Sequence, residues 1–145
     1  YEVSNFARKG HRSRHNMTYW QGGDYVGAGP GAHGRLMRSG LRSATIAAMK
    51  PEDYKASINR TGTGIQDSET LSPLEWAEEY VLMGLRINGG ISMKRFEQIS
   101  GTSLKKDRVA AFLDDGYLAL TGDTLSATPK GRLVLNHITE KLLVG

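Results

Sequence analysis

From Leu74 onward the apolar positions fall at helical spacing: Leu74, Val81 and Leu85 recur near the 3.6-residue period, with Ala77 and Leu82 beside them. Ser72-Pro73-Leu74-Glu75 offers a capping hydroxyl, a proline suited to the first helical position and a carboxylate placed to close a capping box. With Gly89-Gly90 as the stop, this pattern predicts a helix over about residues 73–88. A second helix is predicted from the Ser92 cap to Gly101, and a third from Ser103 to Gly116, burying Leu104, Val109, Phe112 and Leu113. The period then changes from 3.6 to 2. Residues 117–120 and 125–128 flank Thr121-Gly122-Asp123-Thr124 and predict a hairpin, after which Thr128-Pro129 restarts a helix carrying Leu133, Val134, Ile138 and Leu142. Three helices, a two-stranded wing and a closing helix form the order of a winged-helix domain.

The first 70 residues are patterned less regularly. Tyr1 to Phe6 reads as a short strand, residues 35–46 as a hairpin turning at Ser39-Gly40, and residues 51–60 as a helix opened by Pro51. Thr61-Gly62-Thr63-Gly64 reads as a linker into the helical part. Seven glycines between Gly10 and Gly34 are too many for a self-sufficient core, and a strand at residue 1 has no partner in sight. The expected fold class is therefore α+β and mostly helical. It comprises barrel-end strands and loops over residues 1–46, a helix and linker over 47–70, and a winged-helix-like domain over 71–145.

Charge sharpens this division. Residues 1–60 hold ten Lys/Arg against four Asp/Glu, whereas residues 61–145 hold nine against eleven, so the basic part and the helical part are different regions. No apolar run approaches the roughly 20 residues that cross a bilayer, which argues against stable membrane insertion. The N-terminal residues lack the pattern of a signal peptide, and a cytoplasmic location is expected. Cysteine is absent, which excludes disulfides and thiolate-held metal within these residues.

Candidate chemistry concentrates in residues 8–34. His15-Asn16-Met17-Thr18-Tyr19-Trp20 sets an imidazole among aromatic rings and beside Arg8, Lys9, Arg12 and Arg14. A neutral imidazole ligates iron, rings cover a macrocycle and guanidiniums pair with propionates; the same residues also suit an ordinary hydrogen-bonding loop. Tyr25-Val26-Gly27-Ala28-Gly29-Pro30-Gly31-Ala32-His33-Gly34 permits close approach of backbone to a ligand, with N–H groups available to a carboxylate, phosphate or nucleotide. Its spacing fits neither the Rossmann fingerprint nor the P-loop, and a tight turn after a buried strand explains it equally well. His11 reads as a hydrogen-bonding loop residue, His137 as a surface or half-buried residue of the last helix, Trp76, Tyr80 and Phe96 as core or interface aromatics, and Arg86 as a salt-bridge partner of Glu78 or Glu79.

Tyr-Glu-Val-Ser-Asn-Phe-Ala, Gly-His, Arg-His-Asn-x-x-Tyr-Trp and Asp-Tyr-x-Gly-x-Gly-Pro-Gly-Ala-His, in this order over residues 1–34, resemble the signature of HemW-type radical S-adenosylmethionine proteins. These are relatives of the oxygen-independent coproporphyrinogen III oxidase (dehydrogenase). Glu79-Tyr80, Leu85-Arg86, Gly90, Leu113 to Gly116 and Thr128-Pro129-Lys130-Gly131 resemble the C-terminal helical domain of that family. The resemblance implies an N-terminal partial (β/α) barrel whose CxxxCxxC motif holds a [4Fe–4S] cluster and S-adenosylmethionine. None of that motif lies here, so this chain is expected to have no catalytic residue and to be inactive alone. Tyr1 to Phe6 would be a late barrel strand, and Gly27, Gly29, Gly31, Ala32 and His33 would lie near S-adenosylmethionine. His15 would be the haem-iron ligand, with Asn16, Tyr19 and Trp20 as its setting. Haem or a porphyrinogen, the barrel of the same protein and haem-accepting proteins are the implied partners.

Two other classes compete. A winged helix suggests a nucleic-acid-binding module, but Lys105, Lys106 and Arg108 on the third helix are balanced by Asp107, Asp114 and Asp115, and the wing tip carries Asp123 and no cation. Phosphate contacts need a basic face, so no nucleic acid is expected. The other class is a plain structural domain over residues 71–145.

Overall fold

A computed structural model describes residues 1–143. Its elements in chain order are α1 (Arg14–Trp20), β1 (His33–Arg38), β2 (Leu41–Ala47), α2 (Pro51–Thr61), β3 (Ile65–Leu71), α3 (Pro73–Gly84) and β4 (Ile91–Ser92). They continue as α4 (Met93–Ser100), α5 (Lys106–Asp114), β5 (Leu118–Thr121), β6 (Thr124–Ala127), α6 (Pro129–Arg132) and α7 (Leu135–Leu143). The fold is mixed α/β, with two small sheets whose strand pairs are all antiparallel. Two compact units form: Gly23–Ser72 is one, and Tyr1–Gly22 clusters with the described residues from Pro73 onward in the other.

In the unit Gly23–Ser72 the sheet order is β1-β2-β3. Ser39 and Gly40 both have positive φ (50° and 78°), the geometry of a two-residue turn whose twist matches the flanking strands, and β1 pairs with β2 from His33↔Ile46 to Arg38↔Leu41. The expected hairpin is therefore present. Residues 65–71 carry no strand-like apolar pattern, yet β3 pairs with β2 from Arg42↔Leu71 to Ala47↔Ile65. Only Leu71 of β3 is buried, so the strand is made by its ladder and not by an apolar face. Helix α2 starts at Pro51 as expected and ends at Gly62, whose φ of 77° suits a glycine C-cap. Gly64 is a packing requirement, because a Cβ there would lie 1.9 Å from the Tyr54 ring.

In the other unit, α3, α4, α5 and α7 enclose a core with the β4-β6-β5 sheet. Val81, Leu85, Ile91, Leu125 and Ile138 are fully buried at its centre. Helix α3 begins at Pro73 but ends at Gly84, short of the expected 88; a Cβ on Gly84 would meet Ile91 at 2.2 Å, which fixes how closely the chain returns to form β4. Helix α4 follows its sequence signals: the Ser92 hydroxyl accepts from the Arg95 N–H, and Gly101 (φ 74°) closes the end. Asp123 of the β5–β6 turn adds a second cap, accepting from the Lys94 N–H (2.9 Å) and from the Ser92 hydroxyl. These bonds, the Ser92 hydroxyl first, hold the Asp123 carboxyl below its ordinary value. Helix α5 starts at Lys106 and not at Ser103, whose hydroxyl instead donates to Glu97. The last helix is split into α6 and α7. Gly131 packs under the Tyr117 carbonyl, where a Cβ would lie at 1.9 Å, and the chain turns through Leu133 and Val134.

Tyr1 to Phe6 does not form a strand. It makes a single bridge, Glu2↔Ile87, because Glu2 and Asn5 exchange backbone hydrogen bonds (3.3 Å each) and fold the segment into a tight turn. None of the helices among the described residues is long and apolar enough to cross a membrane.

Candidate functional site

The Arg-His-Asn-x-x-Tyr-Trp motif is helix α1, a seven-residue element with no buried residue. A helix this short is not stable on its own propensity, so other contacts must hold it. Ser13 caps it, accepting from the Asn16 N–H (3.2 Å) and donating its own N–H to the Tyr1 hydroxyl (3.4 Å). Residues 15 and 19 lie one turn apart on the same face. His15 is exposed, its Nε2 lies 3.0 Å from the Tyr19 hydroxyl, and the two rings meet edge to face at 4.7 Å. The His15 Nδ1 lies 3.5 Å from the Asn16 Oδ1.

Asn16 and Trp20 attach the helix to the rest of its unit. The Asn16 amide donates to the Asn5 Oδ1 (3.1 Å), and the Arg86 guanidinium lies over the Trp20 ring at 5.1 Å. Both lines converge on Glu2. One carboxylate oxygen accepts from the Asn5 amide (2.6 Å), the Ser4 N–H (2.8 Å) and the Ser4 hydroxyl (3.0 Å), while the other accepts from the Arg86 Nε and Nη2, both at 2.8 Å. The Glu2 side chain has no exposure to solvent. Burial pushes its carboxyl upward, but the bonds from Asn5, Ser4 and Arg86 outweigh it and hold the group at about 2. Arg86 therefore pairs with Glu2, at the far end of the sequence, in place of the neighbouring Glu78 or Glu79. Sequence spacing marks only local helical pairs and could not show this one.

Trp20 also lines an open pocket of about 360 Å³, together with Gln21, Tyr80, Gly89 and Arg95, and the Arg95 guanidinium lies 5.2 Å from the Tyr80 ring centroid. Arg8, Lys9, Arg12 and Arg14 are exposed, and Arg12 lies 5.9 Å from the Tyr1 ring. The unit thus presents an imidazole, aromatic rings and cations, the donor set that fits haem.

The glycine-rich motif lies in the other unit, leading into β1. A Cβ on Gly27 would lie 2.5 Å from the His33 carbonyl, so the loop closes only with glycine there. The Gly29 N–H donates to the Tyr54 hydroxyl (3.1 Å), the Gly31 N–H to the Ala48 carbonyl (2.9 Å) and the Ala32 N–H to the Gly29 carbonyl (3.2 Å). These three amides, expected to be available to a ligand, are consumed in shaping the loop. His33 is exposed at the start of β1. Asp24, just before the motif, accepts from the Met37 N–H (3.0 Å) and pairs with Arg42 (3.2 Å), which is almost wholly buried. Together with the Tyr25–Arg35 bridge, this pins the start of the motif to the sheet.

The fold defines a known class. Residues 71–134 match the family described as the HemN C-terminal domain. The structure is similar to that of the coproporphyrinogen III oxidase (HemN) of Escherichia coli, titled a radical SAM enzyme, with a TM-score of 0.59 and 19% identity over 83% of this chain and 28% of that one. That likeness shows the fold. In sequence the chain is 42% identical to the mitochondrial radical S-adenosyl methionine domain-containing protein 1 of Danio rerio, over 99% of this chain and 35% of that protein. It is 35% identical to the heme chaperone HemW of Bacillus subtilis, over 95% of this chain and 36% of that protein. Over nearly its whole length the chain is similar to HemW-type radical S-adenosylmethionine proteins, and it spans about a third of the length of these curated relatives.

Proposed function

We propose that the full-length protein containing this sequence binds haem and delivers it to an acceptor protein, with helix α1 as a contact surface. The observation that carries this reading is the division of labour on α1. Asn16 and Trp20 are tied inward to Asn5 and Arg86, whereas His15 stands exposed with Tyr19 beside it. Tethering of this kind positions an imidazole without spending it on the core. Relatives named heme chaperone HemW support the reading. His15 would ligate the iron, Tyr19 would lie against the macrocycle, Asn16 and Trp20 would hold the helix that presents them, and the exposed arginines would pair with the propionates.

The same reading assigns a [4Fe–4S] cluster and S-adenosylmethionine to a barrel elsewhere in the protein, since this chain has no cysteine. Bound there, that pair would supply radical chemistry; the part of Gly27, Gly29, Gly31, Ala32 and His33 would be to shape the neighbouring surface. The expected division at residues 46 and 70 and a cytoplasmic location belong to this proposal.

The alternative is oxidation of coproporphyrinogen III. Full-length protein, reconstituted anaerobically with cluster and S-adenosylmethionine, is expected to leave coproporphyrinogen III unchanged while retaining added haem through gel filtration. Decarboxylated product with no retained haem would overturn the proposal in favour of the oxidase.

A further inference from the structure

We propose that Glu2 and Asn5 are positioning residues for His15: acting through Asn16, they fix the neutral imidazole as its Nδ1–H tautomer and present the Nε2 lone pair at the surface of α1. The argument runs outward from the buried carboxylate. An ionised carboxylate accepts hydrogen bonds and donates none, so the Asn5 group at 2.6 Å from it is the NH₂ end of the amide. The Asn5 Oδ1 then points the other way, where it accepts from the Asn16 Nδ2 at 3.1 Å. That contact turns the Asn16 Oδ1 toward the His15 Nδ1 at 3.5 Å. A carbonyl oxygen carries no proton, so the proton of this contact sits on Nδ1. Nε2 is left as the acceptor of the Tyr19 O–H at 3.0 Å.

Each of these groups, amide or imidazole, has two possible orientations, and Glu2 removes the ambiguity because it can be read only one way. Its charge is secure, since the carboxyl is held at about 2 and its other oxygen faces Arg86. Imidazoles that ligate metals commonly donate their second N–H to a carboxylate or carbonyl, which sets tautomer and ring orientation. Here the carboxylate stands two amides away. The use made of Nε2, to meet haem iron in place of the Tyr19 hydroxyl, rests on the function proposed above; the tautomer does not.

The test is a long-range ¹H–¹⁵N correlation spectrum of the full-length protein labelled with ¹⁵N-histidine, recorded without haem at alkaline pH. His15 is assigned by the resonances lost in His15→Gln. The expected result is a protonated Nδ1 and an unprotonated Nε2 in the parent and in Asn16→Asp, which keeps an oxygen toward the ring. In Asn16→Leu and Asn5→Leu the proton moves to Nε2. Asn5→Leu is also expected to weaken haem binding by about 10- to 100-fold. An Nε2–H tautomer in the parent, or an Nδ1–H tautomer unchanged in Asn5→Leu, would overturn the inference. Should either leucine variant fail to fold, the parent spectrum decides alone. The expected tautomers without a Soret response to haem would support this inference and remove the haem reading instead.

Discussion

Replacing Glu2 by Gln tests whether the buried carboxylate holds the Tyr1–Trp20 segment in place. The folded carboxyl lies at about 2 against an ordinary value of 4.5. At about 1.4 kcal/mol for each tenfold change in proton affinity, that displacement corresponds to roughly 3 kcal/mol of stability. Because the folded value is the lower one, the contribution is complete above about pH 4.5 and is lost as pH falls toward about 2. Gln retains one acceptor oxygen but turns an NH₂ toward either the Asn5 and Ser4 donors or Arg86. Urea denaturation followed by tryptophan fluorescence at about pH 7 should show the variant less stable by roughly 3 kcal/mol, and the gap should close on acidification. Asp123, whose carboxyl is also held low, is present in both proteins and cancels in the difference. A loss under about 1 kcal/mol, or parallel pH profiles for parent and variant, would refute the reasoning.

Other expectations concern packing and the two loops. Leu85→Ala, at a fully buried position, should cost about 2–5 kcal/mol in the same assay. Gly131→Ala brings a Cβ to 1.9 Å from the Tyr117 carbonyl, whereas Gly101→Ala meets open space at a φ of 74°. Thermal melts should show the first clearly more destabilised and the second costing about 1 kcal/mol. Tyr54→Phe removes the acceptor of the Gly29 N–H, and hydrogen exchange at that amide should quicken by about five- to tenfold, for a bond of about 1 kcal/mol.

What the sequence revealed was set mainly by local chemistry. Ser92 and Gly101 bracket α4, Pro73 opens α3 and Ser39-Gly40 turns the first hairpin, each through a cap or a backbone preference that neighbours cannot override. Elements defined by distant partners were hidden. Strand β3 is exposed along its first six residues, its only apolar positions being Ile65 and Leu71, and it exists through its ladder with β2, so no apolar period announces it. Helix α1 lacks an apolar stripe and is held by Asn5 and by Arg86, which stands 66 positions beyond Trp20. The strand-like composition of Tyr1 to Phe6 was overruled by the Glu2 carboxylate, which folds the segment back on itself. The candidate site was legible as a motif around His15, but its supports, Glu2, Asn5 and Arg86, were not. Their roles depend on which side chains meet in space.

The most direct test of the central claim is a haem titration of the full-length protein and its His15→Ala variant, followed by absorbance in the Soret region. Saturable binding by the parent, weakened at least tenfold by the substitution, is the predicted result. Equal binding by both proteins, or none by the parent, would contradict the account and leave α1 a structural helix.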